Sequence, residues 1–545
     1  MADDSRGMKL FWACFIALIA TSFGFIVRVT VMGEWAQQFG LSETQKGEIF
    51  GVGLWPFAIS IVLFSLIIDK IGYGLAMAFA FLCHVGYMAI VISAPALVEQ
   101  GMSGYWVLYI GSFVGALGNG TVEAVINPVV ATMFHRDKTK WLNILHAGWP
   151  GGLVLGGILA LAMPPEYDWR YKVGLVGLPV LLYGLLMLTC RFPVNERVAA
   201  GVPYRDMLRQ VGLLGAFLVT ALIVFELANV LAKFDLITPN DTPIATLQLP
   251  VLGELIISQS QGIKFGISAA ISLIFGVYTL SLGRPLFVFL MLIMMPLAIT
   301  ELGTDSWISD LMKPEMKTFG EKVLTLQGGL RGEWVLVYTS FIMMVLRFCA
   351  GPIVHRLSPL GLLAVSSAIA AVGLYSLSLA AGALVLLAAT LYAFGKTFFW
   401  PTMLGVVAEQ FPKGGALTLN AISGLGMMAV GILGAPLLGN IQDREVDRVL
   451  LQRDEPLHAQ ITGEPRPSLF GTYRPVDMDK VETMSADVQS VVRETQEVAK
   501  KSALKTVALF PVGMLACYLL LLLYFQIRGG YRPVDLETGS GRGSH

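Results

Sequence analysis

The chain has 545 residues, with 38 Lys and Arg against 38 Asp and Glu, so only 14% is charged and the formal net charge is zero. Soluble domains carry about 25% charged residues, whereas here 55% of the residues are hydrophobic, mean hydropathy is +0.68 and 58 positions are glycine. Disorder, a collagenous chain and a basic nucleic-acid-binding face are thereby excluded. What remains is a polytopic helical membrane protein, in which glycine lets helix backbones approach closely.

Fourteen apolar segments of membrane-crossing length follow in order, at about 9–33, 48–68, 74–95, 104–134, 141–163, 172–190, 210–232, 265–282, 286–304, 334–355, 360–380, 382–410, 416–440 and 504–527. The first is too long for a signal-peptide core and no small-residue cleavage motif follows it, so it is expected to be retained. Cys14, Cys83, Cys190, Cys349 and Cys517 all lie in apolar segments, without disulfide or zinc spacing. Lys and Arg gather in alternate short loops: Arg6 and Lys9, Lys70, Arg136 to Lys140, Arg191 to Arg209, Arg284, Arg356, Lys413, and Arg528 with Arg532. This bias predicts two cytoplasmic termini and a multi-pass protein of the plasma membrane, the bacterial inner membrane. The long segment 441–503, charged with both signs, is then an outer loop whose part from Asp479 to Lys501 reads as an amphipathic helix. Gly539 to His545 reads as the scar of an expression tag.

The segments repeat. Asp69-Lys70-Ile71-Gly72-Tyr73 after the second matches Gly351-Pro352-Ile353-Val354-His355-Arg356-Leu357 after the tenth, both short basic turns. Asn127-Pro128, then Leu142-Asn143 and the glycine-rich stretch from Gly148 to Gly157, are echoed by Trp400-Pro401, Leu419-Asn420 and Gly424 to Gly434. The unit is six helices, with a pair inserted between two copies. The expected divisions are an N-terminal bundle over 9–192, a linker with the first inserted helix over 193–264, and the second over 265–283. A C-terminal bundle over 284–528, containing loop 441–503, and a tail over 529–545 complete the chain.

This 6+2+6 plan, with a basic turn after the second helix of each half, resembles the major facilitator superfamily. In the fourth segment Gly118, Asn119, Gly120, Glu123, Asn127 and Pro128, followed by Leu142-Asn143, resemble the fucose:proton symporter branch. That branch shows a Gly-x-Gly-x-x-Glu-x-x-x-Asn-Pro pattern followed by Leu-Asn. The resemblance implies an all-α fold of fourteen transmembrane helices and makes Glu123 the proton-carrying carboxylate. The sequence departs from the branch in two places. Arg28 stands in the stretch where the first helix of the branch carries an Asp, and His146 and Trp149 stand where its fifth helix carries amides.

An ionisable group at mid-bilayer costs roughly 2.5–3.5 kcal/mol on insertion scales and therefore normally faces a cavity or a partner. Asn119, Glu123 and Asn127 recur every fourth residue and are expected on one helix face. Asn143 and His146 form a second such set, with His146 placed to share a proton with Glu123. Lys396 and Trp400 share a face of the twelfth segment, and Asn420 repeats Asn143. Glu301 and Asp305, in a stretch running to Trp307, are expected near the outer opening. Asp69, Arg347 and Arg356 are assigned to a cytoplasmic gate. For each residue the plain alternative is a satisfied packing role: a carboxylate bonded to a neighbouring helix, a core histidine, a packing tryptophan, or a structural lysine pair.

No Gly-x-x-x-x-Gly-Lys-Ser/Thr loop, metal-ligand cluster or catalytic triad is present. The sequence thus predicts a transporter rather than an enzyme. It works as a monomer in the lipid bilayer by alternating access, with no cofactor beyond the proton gradient and no nucleic-acid partner. Its expected substrate is a sugar or similar polyol, held by Asn119, Asn127, Asn143 and Asn420, with Trp149 and Trp400 stacking. The alternative is an anion carrier in which Arg28 and Lys396 clamp a sugar acid or other organic anion. A scaffold using the outer loop is the third reading, and it leaves the intramembrane polar groups without a role.

Overall fold

The computed structural model describes residues 2–164, 166–240, 242–249, 253–305, 331–380, 384–468 and 471–536, with a few isolated positions between 312 and 321. Trp307 and the segment 539–545 lie outside these. Among the described residues, thirteen helices are long and apolar enough to cross a membrane. A fourteenth crossing is a pair, Glu333–Phe348 and Ala350–Arg356, bent by 61°. The fold is all-α and polytopic, and the spans fall in the order expected.

Small residues set the helix spacing, because apolar faces gain nothing over lipid by meeting one another and only close packing holds them. In the fourth span (Gly104–Met133) a Cβ on Gly120 would lie 2.1 Å from the Phe57 carbonyl oxygen of the second span (Gln45–Ile71). In the fifth span (Lys138–Leu161) a Cβ on Gly152 would lie 2.0 Å from Ser22 Oγ of the first span (Gly7–Phe39). The echoed motifs therefore seat the helices against each other. Between the halves the second span packs on the thirteenth (Pro412–Arg453). The fifth packs on the tenth and on the twelfth (Leu384–Gln410).

Two expectations change. The seventh span begins earlier, at Tyr204, and is kinked at Gly212 (φ 57°). There the amides of Leu213 and Leu214 leave the helix and donate to the carbonyls of Ser281 and Leu282, at 2.9 and 3.1 Å. The stretch 441–503 holds the helix expected in its second half, as Ala486–Val507, but the part before it, expected as a loop, is folded too. The thirteenth helix runs out through Ala435–Arg453, and Glu455–Ile461, a short hairpin of Arg466–Ser468 with Gly471–Tyr473, Met478–Glu482 and Ala486–Val507 follow. Val446, Leu450, Leu457, Ile461, Val481, Val492 and Ala499 form a core of their own. Pairs four apart, Val446 with Leu450 and Leu457 with Ile461, carry helical periodicity that charge counting concealed. The result is a folded cap at the end of the bundle opposite the termini.

The packing account is testable by overfilling one contact. Gly120→Val should destabilise the purified protein by about 1–3 kcal/mol, since backbone must move. Gly266→Val, where nothing lies within 4 Å, should leave the melting temperature unchanged.

Candidate functional site

The fourth span is interrupted in its hydrogen bonding by Pro128 and carries Glu123 and Asn127 into the middle of the bundle, 4% and 0% exposed. Asn127 Nδ2 donates to Glu123 Oε2 at 2.7 Å, and its Oδ1 lies 2.9 Å from His146 Nε2. With the amide nitrogen committed to the carboxylate, Oδ1 must accept, so His146 Nε2 carries the hydrogen. His146 thus reaches Glu123 only through an amide that orients both groups. The direct proton sharing expected of the pair is not what this geometry provides.

The opposing half supplies Arg347, Glu301, Lys396 and Asp305. Arg347 is 1% exposed and donates from Nη2 to Glu301 Oε1 at 2.7 Å and from Nε to the Thr397 carbonyl at 2.7 Å. Its Nη1 crosses to the N-terminal half and donates to the His146 carbonyl at 2.8 Å. Glu301 Oε2 accepts the Trp400 backbone N–H at 2.9 Å. Lys396 pairs with Asp305 and lies 5.3 Å from the Tyr392 ring centroid. Glu301 sits in a π-turn, Ile299–Gly303, that interrupts the ninth span. That wider turn re-aims the side chain into the bundle, away from the outer opening where the sequence placed it.

Several expected roles are corrected by these contacts. Arg347 belongs to this central network, not to a gate with Asp69. Asp69 instead pairs with Arg197 at 2.6 Å, and Arg356 is exposed at the end of the bent tenth span. Asn119 Oδ1 bonds His84 Nε2 at 2.9 Å inside the N-terminal half, away from Glu123. A four-residue step overshoots the 3.6-residue turn by about 40°, so Asn119 and Asn127 diverge by about 80°. Asn143 donates to the Thr139 carbonyl at 2.9 Å and to Thr402 Oγ1 at 3.1 Å; Asn420 donates to the Ala124 carbonyl at 3.0 Å. Both amides tie helices together, and Asn420 Oδ1 is buried without a hydrogen-bond partner. Trp400 is buried, its ring against Gly426. Trp149 is half-buried, its ring centroid 6.2 Å from that of Phe25.

Arg28 stands apart. It is 5% exposed on the first span, between the rings of Phe25 and Phe50, each centroid 5.8 Å from its Cζ. Among the described residues it has no ion pair, and its Nε has no hydrogen-bond partner. Its contacts lie in the N-terminal half and those of Lys396 in the C-terminal half, so the two do not form one clamp in this conformation.

A second constellation, which the sequence did not reveal, closes the termini end of the seam. Glu409 Oε1 accepts from Thr139 Oγ1 at 2.5 Å and from Thr139 N–H at 3.3 Å. Its Oε2 accepts from the Tyr531 hydroxyl at 2.8 Å, and its carbonyl from Val534 N–H at 2.8 Å. Burial, with the Glu409 carboxylate beside it, holds the Tyr531 phenol well above its ordinary pKa, so it stays a donor. Lys138 bridges Glu196 at 2.6 Å and the Ala408 carbonyl at 3.3 Å. An acid at a helix end looks like any solvated cap in a sequence. Only the packing shows that Glu409 joins the two halves.

The geometry agrees with the comparisons. The profile of the Major Facilitator Superfamily matches residues 13–435. The chain belongs to the major facilitator superfamily. Its members are transporters, and the chain is a multi-pass membrane protein. The E. coli fucose:proton symporter aligns over 92% of this chain and 98% of its own, at 14% identity and TM-score 0.51. The xylose symporter aligns over 96% of each chain at 14% identity and TM-score 0.57. The human organic anion transporter aligns over 93% of this chain and 99% of its own at 12% identity and TM-score 0.53. At these identities the shared property is the superfamily fold. Among curated relatives, the gentisate transporter of Corynebacterium glutamicum is 24% identical over 193 residues, 35% of this chain and 41% of that relative. The TsgA homolog of Buchnera aphidicola is 23% identical over 192 residues, 35% and 47% respectively. The chain thus spans less than half the length of either.

Removing one member of the Arg347–Glu301 pair strands a buried charge, which costs about 3–5 kcal/mol, whereas removing both costs far less. Glu301→Gln should therefore lower the melting temperature sharply. The double variant with Arg347→Met should recover much of that loss.

Proposed function

We propose that the chain is a proton-coupled secondary transporter of a small organic anion, working by alternating access about the seam between its halves. The observation that carries the proton coupling is a charge mismatch. The central network holds three carboxylates, Glu123, Glu301 and Asp305, against two cations, Arg347 and Lys396. Glu301 and Asp305 each touch a cation, while Glu123 is held by an amide. One proton on Glu123 makes the network neutral, and a neutral carboxyl removes the cost of burying it when the site closes. Fucose and xylose symporters named for proton coupling are among the structural neighbours, which supports this reading.

The substrate class follows from which polar groups remain engaged within the protein. The sequence places a sugar on Asn119, Asn127, Asn143 and Asn420, yet the first three are bonded within the protein and Asn420 is bonded through its Nδ2, with only its Oδ1 unpartnered. Removing them from those partners would leave buried groups unpaired at about 1–3 kcal/mol apiece. Arg28 is the reverse case, a buried cation without a counter-ion among the described residues, and it favours an anion over a neutral sugar. Relatives and neighbours named for gentisate and for organic anions are consistent with that class. Anion and proton then neutralise the two uncompensated buried charges, Arg28 and Glu123, so the loaded carrier can close its seam where a half-loaded one cannot. The bias of Lys and Arg towards loops on the termini face supports cytoplasmic termini in a bacterial inner membrane.

Proteoliposome transport tests the coupling group. Glu123→Gln should retain solute exchange across the membrane but lose accumulation driven by an inward proton gradient. His146→Gln should retain both, because His146 orients Asn127 and does not hold the proton. Undiminished gradient-driven accumulation in Glu123→Gln would contradict the assignment.

A further inference from the structure

The surroundings of Arg28 carry more than a charge. The second span is broken between Glu43–Gly51 and Trp55–Ile71. Gly53 in that break lies so close to the guanidinium that a Cβ there would sit 2.0 Å from Nη1. The missing side chain is therefore filled by Arg28, and the break in the helix exists where Arg28 docks. Tyr87 of the third span, buried with its hydroxyl unpartnered, lies within electrostatic range of the same guanidinium. A cation and a phenolic hydroxyl, both buried and each with a polar atom that lacks a hydrogen-bond partner, thus lie within electrostatic reach of each other in the N-terminal half. Beside them the Phe25 ring lies 5.7 Å from that of Phe50 and 6.2 Å from that of Trp149, and all three are half-buried. Phe25 and Trp149 pack with Ile26, Leu153 and, across the seam, Leu336 of the tenth span.

We infer that this place takes an aromatic monocarboxylate, its carboxylate held by Arg28 and Tyr87 and its ring laid on Phe25, Phe50 and Trp149. The inference rests on the anion reading above and gives it a chemistry. A planar guanidinium matches the two oxygens of a carboxylate as parallel hydrogen bonds. Tyr87 adds a third donor through its hydroxyl hydrogen, and the guanidinium has no acceptor atom of its own. One cation without a second beside it matches one negative charge, which disfavours a phosphate dianion or a dicarboxylate. The ring ledge distinguishes an aromatic acid from an aliphatic one, since aromatic faces and edges attract each other beyond their buried area. The ledge also reaches Leu336 of the opposite half, so a bound ring is gripped from both sides when the seam closes. Tyr87 is then a specificity residue of the anion site, and Gly53 a positioning residue that acts by seating Arg28.

The test is binding to the purified full-length protein, followed by ligand-dependent thermal stabilisation, which needs no transport and no coupling. The probe is 4-hydroxybenzoate, with 4-hydroxybenzamide as the uncharged isostere and 4-hydroxycyclohexanecarboxylate as the non-aromatic one. Stabilisation is expected from 4-hydroxybenzoate, weaker stabilisation from the cyclohexane acid, and none from the amide or from neutral hexoses. Tyr87→Phe should weaken 4-hydroxybenzoate binding about 10-fold or more, the loss expected of one hydrogen bond to a charged group. Arg28→Gln should abolish it. Gly53→Ala should weaken it as well, by displacing the guanidinium, while Gly266→Ala, on the eighth span where nothing lies within 4 Å, should bind as wild type does. If Arg28→Gln fails to fold, Tyr87→Phe and the probe series decide. Equal stabilisation by the amide, or unchanged binding in Tyr87→Phe, would overturn the site. Those outcomes leave the coupling role of Glu123 standing, whereas proton-driven uptake by Glu123→Gln would remove the coupling and leave this site standing.

Discussion

Arg347 holds the structure together where its halves meet. It is a fully buried guanidinium that donates to Glu301 and the Thr397 carbonyl of its own half and to the His146 carbonyl of the other. Each of its three nitrogens finds an acceptor, which offsets the cost of burying the charge. That requirement fixes much around it. The π-turn that aims Glu301 inward, the end of the helical segment Lys138–His146 that exposes its carbonyl, and the Trp400 amide that shares Glu301 are all parts of one polar knot. The knot joins the halves through a backbone carbonyl, so the group it holds across the seam carries no charge of its own.

Around this knot the bundle sorts its ionisable groups by whether the protein itself completes them. Lys396 with Asp305 and Arg347 with Glu301 are complete. Glu123 and Arg28 are not, and they carry opposite signs. Under the proposed function, a proton and an anion would complete these two groups together. At the termini end, Glu409 makes the corresponding structural closure with neutral donors, Thr139 and Tyr531, which hydrogen-bond it without a counter-ion. A clamp of that kind is easier to release than a buried ion pair.

Much of this was legible in the chain. Hydropathy gives the spans in order, and Asn127-Pro128 with the repeated Leu-Asn motif points to Glu123, Asn127, Asn143 and Asn420, all of them buried. What the pattern lacked was direction around and across helices. Asn119 looked like a neighbour of Asn127 because a four-residue spacing approximates a helix turn, yet the residual rotation over eight residues carries it to His84. Glu301 was placed at an opening because a π-turn leaves no mark in composition. Arg347 beside a basic turn resembled a gate residue, and only tertiary contact shows it reaching inward. In the segment 441–503 the sequence shows the helix that leads into the last span but reads as loop before it, because charges mask the four-residue spacing of Val446 with Leu450 and of Leu457 with Ile461. Arg28 and Lys396 stand out in the sequence as intramembrane cations, and the structure pairs Lys396 with Asp305.

The central claim is that one proton and one monoanion complete two opposite charges in the same carrier cycle. The most direct measurement is 4-hydroxybenzoate uptake into proteoliposomes, corrected for protein-free vesicles, with membrane potential and pH gradient imposed separately. The account predicts uptake accelerated by an inward proton gradient and unaffected by potential, because the loaded carrier adds no net charge to what crosses. Uptake that follows the potential, or that ignores the proton gradient, would contradict it.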